Sequence, residues 1–101
     1  MLYRIYTENK NYDSLVRLTS NLFPAFTITR GIGVWEGTAE QSAVIEIAEV
    51  GQDSGSLENR VLTLAENIRA ENEQDAVLVV SIPATGILVT RHDKIVSATS
   101  K

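Results

Sequence analysis

Between Phe26 and Trp35 the sequence FTITRGIGVW has a period of two. Phe26, Ile28, Ile32 and Val34 fall on one side, and Thr27, Thr29, Gly31, Gly33 and Trp35 on the other. That period belongs to a strand whose two faces meet different surroundings. The polar stretch EGTAEQS follows, read as a turn, and SAVIEIAEV then returns with Ala43, Ile45 and Ile47 on one face. The middle of the chain is therefore committed to an antiparallel hairpin, and the flanking segments must cover one of its faces. Arg30 interrupts the apolar row, which predicts a bulge or twist nearby.

The flanks supply that cover. LYRIY, residues 2–6, reads as a first strand. Asn11 is placed to cap a helix in which Leu15, Leu18 and Leu22 recur at helical spacing, and Pro24 closes it. Beyond the hairpin, Ser56 is the expected N-cap of a second helix with the stripe Leu57, Val61, Leu64, Ala65 and Ile68. AVLVVSI is apolar almost throughout, which suits the middle of a sheet. PATG is a turn and ILVT a short strand, with about 91–101 an edge strand or tail. The order β-α-β-β-α-β makes an α+β, ferredoxin-like unit, an antiparallel sheet with two helices on one face, and residues 1–101 form a single domain. The other face carries Thr27, Thr29, Gly31, Gly33, Trp35, Val44 and Ala48, an apolar and small set that predicts a covering subunit.

Charge and composition narrow the function. Nine basic residues against thirteen acidic ones give a formal charge of −4, which argues against nucleic acid and anionic membranes as partners. No apolar run approaches the ~20 residues that a membrane-spanning helix needs. MLYRIYTENK lacks the pattern of a signal peptide. The chain has no cysteine, which excludes disulfides and thiol chemistry and points to the cytoplasm.

Motifs for catalysis are sparse. Gly31, Gly33 and Gly37 imitate a dinucleotide fingerprint, but that motif opens a helix and here a strand follows. The glycines then mark either a twist point or a place where a ligand or neighbouring chain approaches closely. His92, the only histidine, has no cysteine to join it in a soft-metal site. Glu36, Glu40, Glu46 and Glu49 are spread along the hairpin without an evident pair, and the serines lack a nucleophile elbow. The expectation is a protein that is not an enzyme, with no metal and no resident cofactor. Trp35 could pack in the core, fill a subunit interface or stack on a planar ligand. Arg30 and Arg91 are the natural anion binders, and His92 and Lys94 stand close to Arg91 in the sequence.

The segment FPAFTITRGIGVWEGTAEQSAVIEI, Phe23 to Ile47, resembles the second and third strands of PII-like and CutA-like proteins. Thr27, Gly31, Gly33 and Gly37 stand where PII proteins have T-x-x-x-G-x-G-x-x-x-G. The proline, the Trp-Glu-Gly turn and the acidic hairpin are nearer to CutA. DAVLVVSIPATGILVT is similar to the fourth strand and its continuation. The resemblance implies a homotrimer with sheets packed inward and adenine nucleotides or related signals bound between subunits. It implies ligand contacts at Thr29, Arg30, Gly31, Gly33 and Arg91, to which Trp35 is added as a stacking residue. The long partner-contacting loop of PII is reduced here to EGTAEQS, and basic residues are few.

The sequence thus leads to an expected non-enzymatic trimer that binds a small anionic ligand such as a nucleotide or cyclic nucleotide. It would act as a sensor or as a sequestering sponge of the kind a phage would deploy. A ligand-free scaffold, a CutA-like protein linked to divalent cations and a small oligomeric enzyme are the alternatives.

Overall fold

The computed structural model describes residues 1–50, 54–91 and 95–97. Its elements run β1 (Leu2–Glu8), α1 (Tyr12–Ser20), β2 (Thr27–Trp35), β3 (Thr38–Ala48), α2 (Ser54–Asn72), β4 (Leu78–Ile82), β5 (Ile87–Val89) and β6 (Ile95–Ser97). The first four strands form one antiparallel sheet in the order β2-β3-β1-β4, and β5 pairs with β6 in a separate two-stranded sheet. The four-stranded sheet with two helices is compatible with a ferredoxin-like unit.

One row shows how the core is built. Ile28, Ile45, Ile5 and Val79 are register partners across all four strands. Ile5 and Ile45 are fully buried beneath Leu15 of α1 and Val61, Leu64 and Ile68 of α2. The stripe read from the sequence of the second helix is the buried face of α2, Leu57 and Ala65 included. Each buried Leu, Ile or Val contributes roughly 1.5–3 kcal/mol by leaving water, and Ala65 less. Asn11 caps α1 as expected, its side-chain oxygen accepting from the Ser14 amide at 3.2 Å.

Four local expectations need correction. Ser56 does not cap α2; it lies inside the first turn of a helix that already includes Ser54. The segment DSGS offers several small residues able to open a helix, so spacing alone does not select one. No bulge occurs at Arg30, because β2 and β3 stay in continuous register from Thr27↔Glu46 to Trp35↔Thr38. The hairpin turn is only Glu36 and Gly37, with φ of 50° and 81°, the two-residue turn whose twist matches its strands. Thr38–Ser42 belong to β3, and their polarity reflects how far the hairpin projects past the helices. Finally, AVLVVSI does not supply a central strand: β4 lies at the sheet edge and pairs with β1 alone. Its apolar character on the outer face therefore has no cover within the described residues, and Leu78 is 59% exposed.

A buried polar corner joins the end of β1 to the connection between α2 and β4. Thr7 Oγ1 donates to Gln74 Oε1 at 2.6 Å, and Asn72 Nδ2 donates to the same oxygen at 2.8 Å. Asn72 Nδ2 also reaches the Glu8 carbonyl at 3.1 Å, and Gln74 Nε2 donates to the Ala76 carbonyl at 3.3 Å. All three side chains are buried. The network holds the segment from Glu73 to Ala76 against β1.

Candidate functional site

Where the hairpin projects beyond the helices, the sheet carries an open depression of about 830 Å³. Its floor comes from the outer face of the sheet. β2 supplies Thr29, Gly31, Gly33 and Trp35, β3 supplies Glu40, Ser42 and Val44, β1 supplies Tyr6 and Glu8, and β4 begins with Leu78. Register explains the grouping: Thr29, Val44, Tyr6 and Leu78 make one row, and Gly31, Ser42 and Glu8 the next. The connection from Glu73 to Val77 forms the remaining wall.

The glycines set the depth of this floor. A Cβ at Gly33 would stand 3.2 Å from Ser42 Cβ, and one at Gly31 would stand 3.9 Å from Ser42 Oγ. Side chains there would fill the space above Ser42, so the bare backbone admits a flat group close to the strand. Tyr6 and Trp35 bring aromatic surface, Trp35 being 60% exposed.

Electrostatically the depression is acidic. Glu8, Glu40, Glu73 and Asp75 line it. Lys10 approaches Glu8 at 3.8 Å, but it also donates to the Asn72 carbonyl at 2.7 Å. Arg4, one row from Tyr6, is tied to Glu46 by a 2.8 Å hydrogen bond. That carboxylate first, and the Tyr6 hydroxyl second, raise the Arg4 pKa above its ordinary value.

The residues singled out in the sequence divide into two groups. Thr29, Gly31, Gly33 and Trp35 share the outer face and line the depression. Arg30 borders it, but strand alternation turns its side chain to the helix side. There its guanidinium lies over the Tyr12 ring, 4.6 Å from the centroid. Arg91, in the turn after β5, does not line the depression. His92 and Lys94, its expected companions, lie outside the described residues.

Tyr6, Glu8, Glu40, Ser42 and the Glu73–Val77 wall were not foreseen in sequence. Tyr6 and Glu8 were within reach, since the alternation of β1 continues past Tyr6 to Glu8 and sets both outward. The wall was not, because its position depends on the Thr7–Asn72–Gln74 contacts between distant segments. Among the described residues no group of His, Cys, Asp or Glu is arranged to hold a metal, and no helix is long and apolar enough to cross a membrane.

No family model and no curated protein matches the sequence. Two solved structures share its fold. One is a phage SAM lyase in complex with S-methyl-5'-thioadenosine, at 18% identity with a TM-score of 0.64, over 77% of this chain and 76% of that one. The other is a phage SAM lyase in the apo state, at 19% identity with a TM-score of 0.59, over 77% and 75%. The expectation of a non-enzymatic protein is overturned by this comparison: the neighbours are structures of an enzyme, one holding a small ligand. That expectation had rested on missing nucleophile, metal and acid–base motifs.

Proposed function

We propose that this protein is a lyase acting on S-adenosylmethionine or a closely related sulfonium nucleoside, and that the outer-face depression is its active site. The observation that carries the proposal is the match between the lining and the chemistry of such a substrate. S-adenosylmethionine bears two positive groups, a sulfonium and an ammonium, against one carboxylate. A depression with four carboxylates, two aromatic side chains and its bordering arginine turned away suits that cation. It is ill suited to the polyphosphate of a nucleotide. Adenine finds a flat seat over Gly31 and Gly33, with Trp35 beside it.

The arrangement also bears on the reaction. S-methyl-5'-thioadenosine is what remains when the aminobutyrate arm leaves the sulfur. The electrons of the broken carbon–sulfur bond return to sulfur, which becomes a neutral thioether. The arm's own carboxylate oxygen bonds to the carbon released and closes a lactone, so the step balances without water or a protein nucleophile. Positive charge at sulfur is thus lost on the way to the transition state. Apolar surface from Val44, Leu78 and Trp35 disfavours the charged ground state relative to that transition state, and so promotes cleavage. The carboxylates act best away from sulfur, where the ammonium of the arm keeps its charge throughout.

The uncovered outer face also supports the homotrimer implied by the PII/CutA resemblance, with Leu78, Val44 and Tyr6 near the contact and the depression beside a neighbouring subunit. Light scattering of the purified protein tests this; a monomer at assay concentration removes it.

The main test is direct. Incubation with S-adenosylmethionine, followed by mass spectrometry, is expected to yield S-methyl-5'-thioadenosine. S-methyl-5'-thioadenosine itself should raise the melting temperature, because it binds the folded state. No product together with no thermal shift from either compound overturns the proposal.

A further inference from the structure

Two described residues other than glycine have positive φ, Glu36 at 50° and Glu73 at 56°. Glu36 sits at the hairpin tip, where the two-residue turn requires that conformation. Glu73 sits just past the last residue of α2. The Gln74 amide donates to the Arg69 carbonyl at 3.0 Å, and the Glu73 amide to the Ala70 carbonyl at 3.2 Å. This paired closure ends a helix through one left-handed residue, a place ordinarily taken by glycine because a Cβ is strained there.

Glu73 has no freedom to relax. The next side chain, Gln74, is buried and bound to Thr7 and Asn72, while its carbonyl accepts from Arg69 Nη1 at 3.2 Å. The backbone is thus pinned on both sides of a residue type poorly suited to it. Strain of this sort concentrates where a side chain is needed for function. The Glu73 side chain is exposed and stands on the wall of the depression, across from the glycine floor.

We infer that Glu73 is a specificity-determining residue whose carboxylate receives the ammonium of the substrate's aminobutyrate arm, so that the site distinguishes the cationic sulfonium substrate from its neutral thioether product. The inference rests on the S-adenosylmethionine reading above. It adds which end of the substrate faces the α2–β4 connection, and why a glutamate is held in a glycine's conformation.

The experiment compares wild type with Glu73→Gly, Glu73→Gln and Glu73→Asp, and uses Glu36→Gly as control. Three quantities are read: KM and kcat for S-adenosylmethionine, the Kd of S-methyl-5'-thioadenosine, and Tm. Glu73→Gly is expected to keep or raise Tm, by up to about 5 °C. Its KM should rise about tenfold, while kcat and the product's Kd stay unchanged, as when binding common to ground and transition states is lost. Glu73→Gln should raise KM alike without the gain in Tm, and Glu73→Asp should recover part of the loss. Glu36→Gly should match the thermal gain and leave KM alone. An unchanged KM in the folded Glu73 variants, or equal weakening of substrate and product, overturns the inference while the lyase reading stands. A wild-type protein that neither cleaves S-adenosylmethionine nor binds the thioether overturns both.

Discussion

The two faces of the sheet are made by the same strands and obey different rules. On the helix side, Ile28, Ile45, Ile5 and Val79 line up beneath α1 and α2, and the two central isoleucines are wholly buried. On the outer side, the adjacent row Thr29, Val44, Tyr6 and Leu78 borders open space. The first row answers to packing, where any lost methyl leaves a cavity. The second row mixes hydroxyl, aromatic and aliphatic groups in a pattern that a core has no use for. Residues that stability does not demand are the ones to question for function.

Substitutions test that contrast in descending order of effect. Ile45→Ala, in the helix-side row, should cost about 2–5 kcal/mol in urea unfolding; a loss below 1 kcal/mol would mean that the core is not where the packing puts it. Trp35→Ala, on the outer face, should change stability by no more than about 0.5 kcal/mol. In calorimetry the same variant should weaken binding of S-methyl-5'-thioadenosine by about tenfold or more, the scale of one lost aromatic stack on a base. Unaltered binding would take Trp35 out of the site. Arg30→Ala should lose only its contact with the Tyr12 ring, about 0.5–1 kcal/mol, and leave thioether affinity intact. A large drop in affinity would show that the guanidinium swings round to the outer face.

The smallest expected effect is on pH dependence. Arg69 donates two hydrogen bonds to the Glu66 carboxylate, at 2.9 and 2.7 Å, and this holds the Glu66 pKa below its ordinary 4.5. A depressed carboxylate stabilises the fold above its unfolded value, and that contribution disappears as pH falls through the folded value. Glu66→Gln should therefore melt slightly earlier than wild type at neutral pH, with the gap closing in acid below 4.5. Because the pair is exposed, the effect is slight and shrinks with salt; a gap that persists in acid would assign it to helix propensity.

The helix-side row was legible in the sequence because burial writes a period. The stripe from Leu57 to Ile68 and the alternation through Ile45 each marked the face that is buried. Thr29, Gly31, Gly33 and Trp35 were placed on the outer face by the same rule. The character of the depression on that face was not legible, for two physical reasons. Arg30 looked like an anion site because a lone arginine in an apolar row asks for a partner, and the partner proved to be the Tyr12 ring from another element. The acidic lining is assembled from residues more than sixty positions apart in the chain, Glu8 and Glu73 among them. Periodicity along a strand carries no information about such a meeting.

The buried corner of Thr7, Asn72 and Gln74 has a consequence for how such a chain can vary. One oxygen, Gln74 Oε1, accepts from both of the other side chains. Replacing any one of the three takes at least one buried hydrogen bond from its partners, whereas replacing all three with well-fitted apolar groups can be nearly neutral. Single steps away from the trio are steep and the triple step is nearly level, so over generations these positions should be inherited as a block. Homologues that retain one of them should retain all three, and those that lose one should have rebuilt the corner entirely.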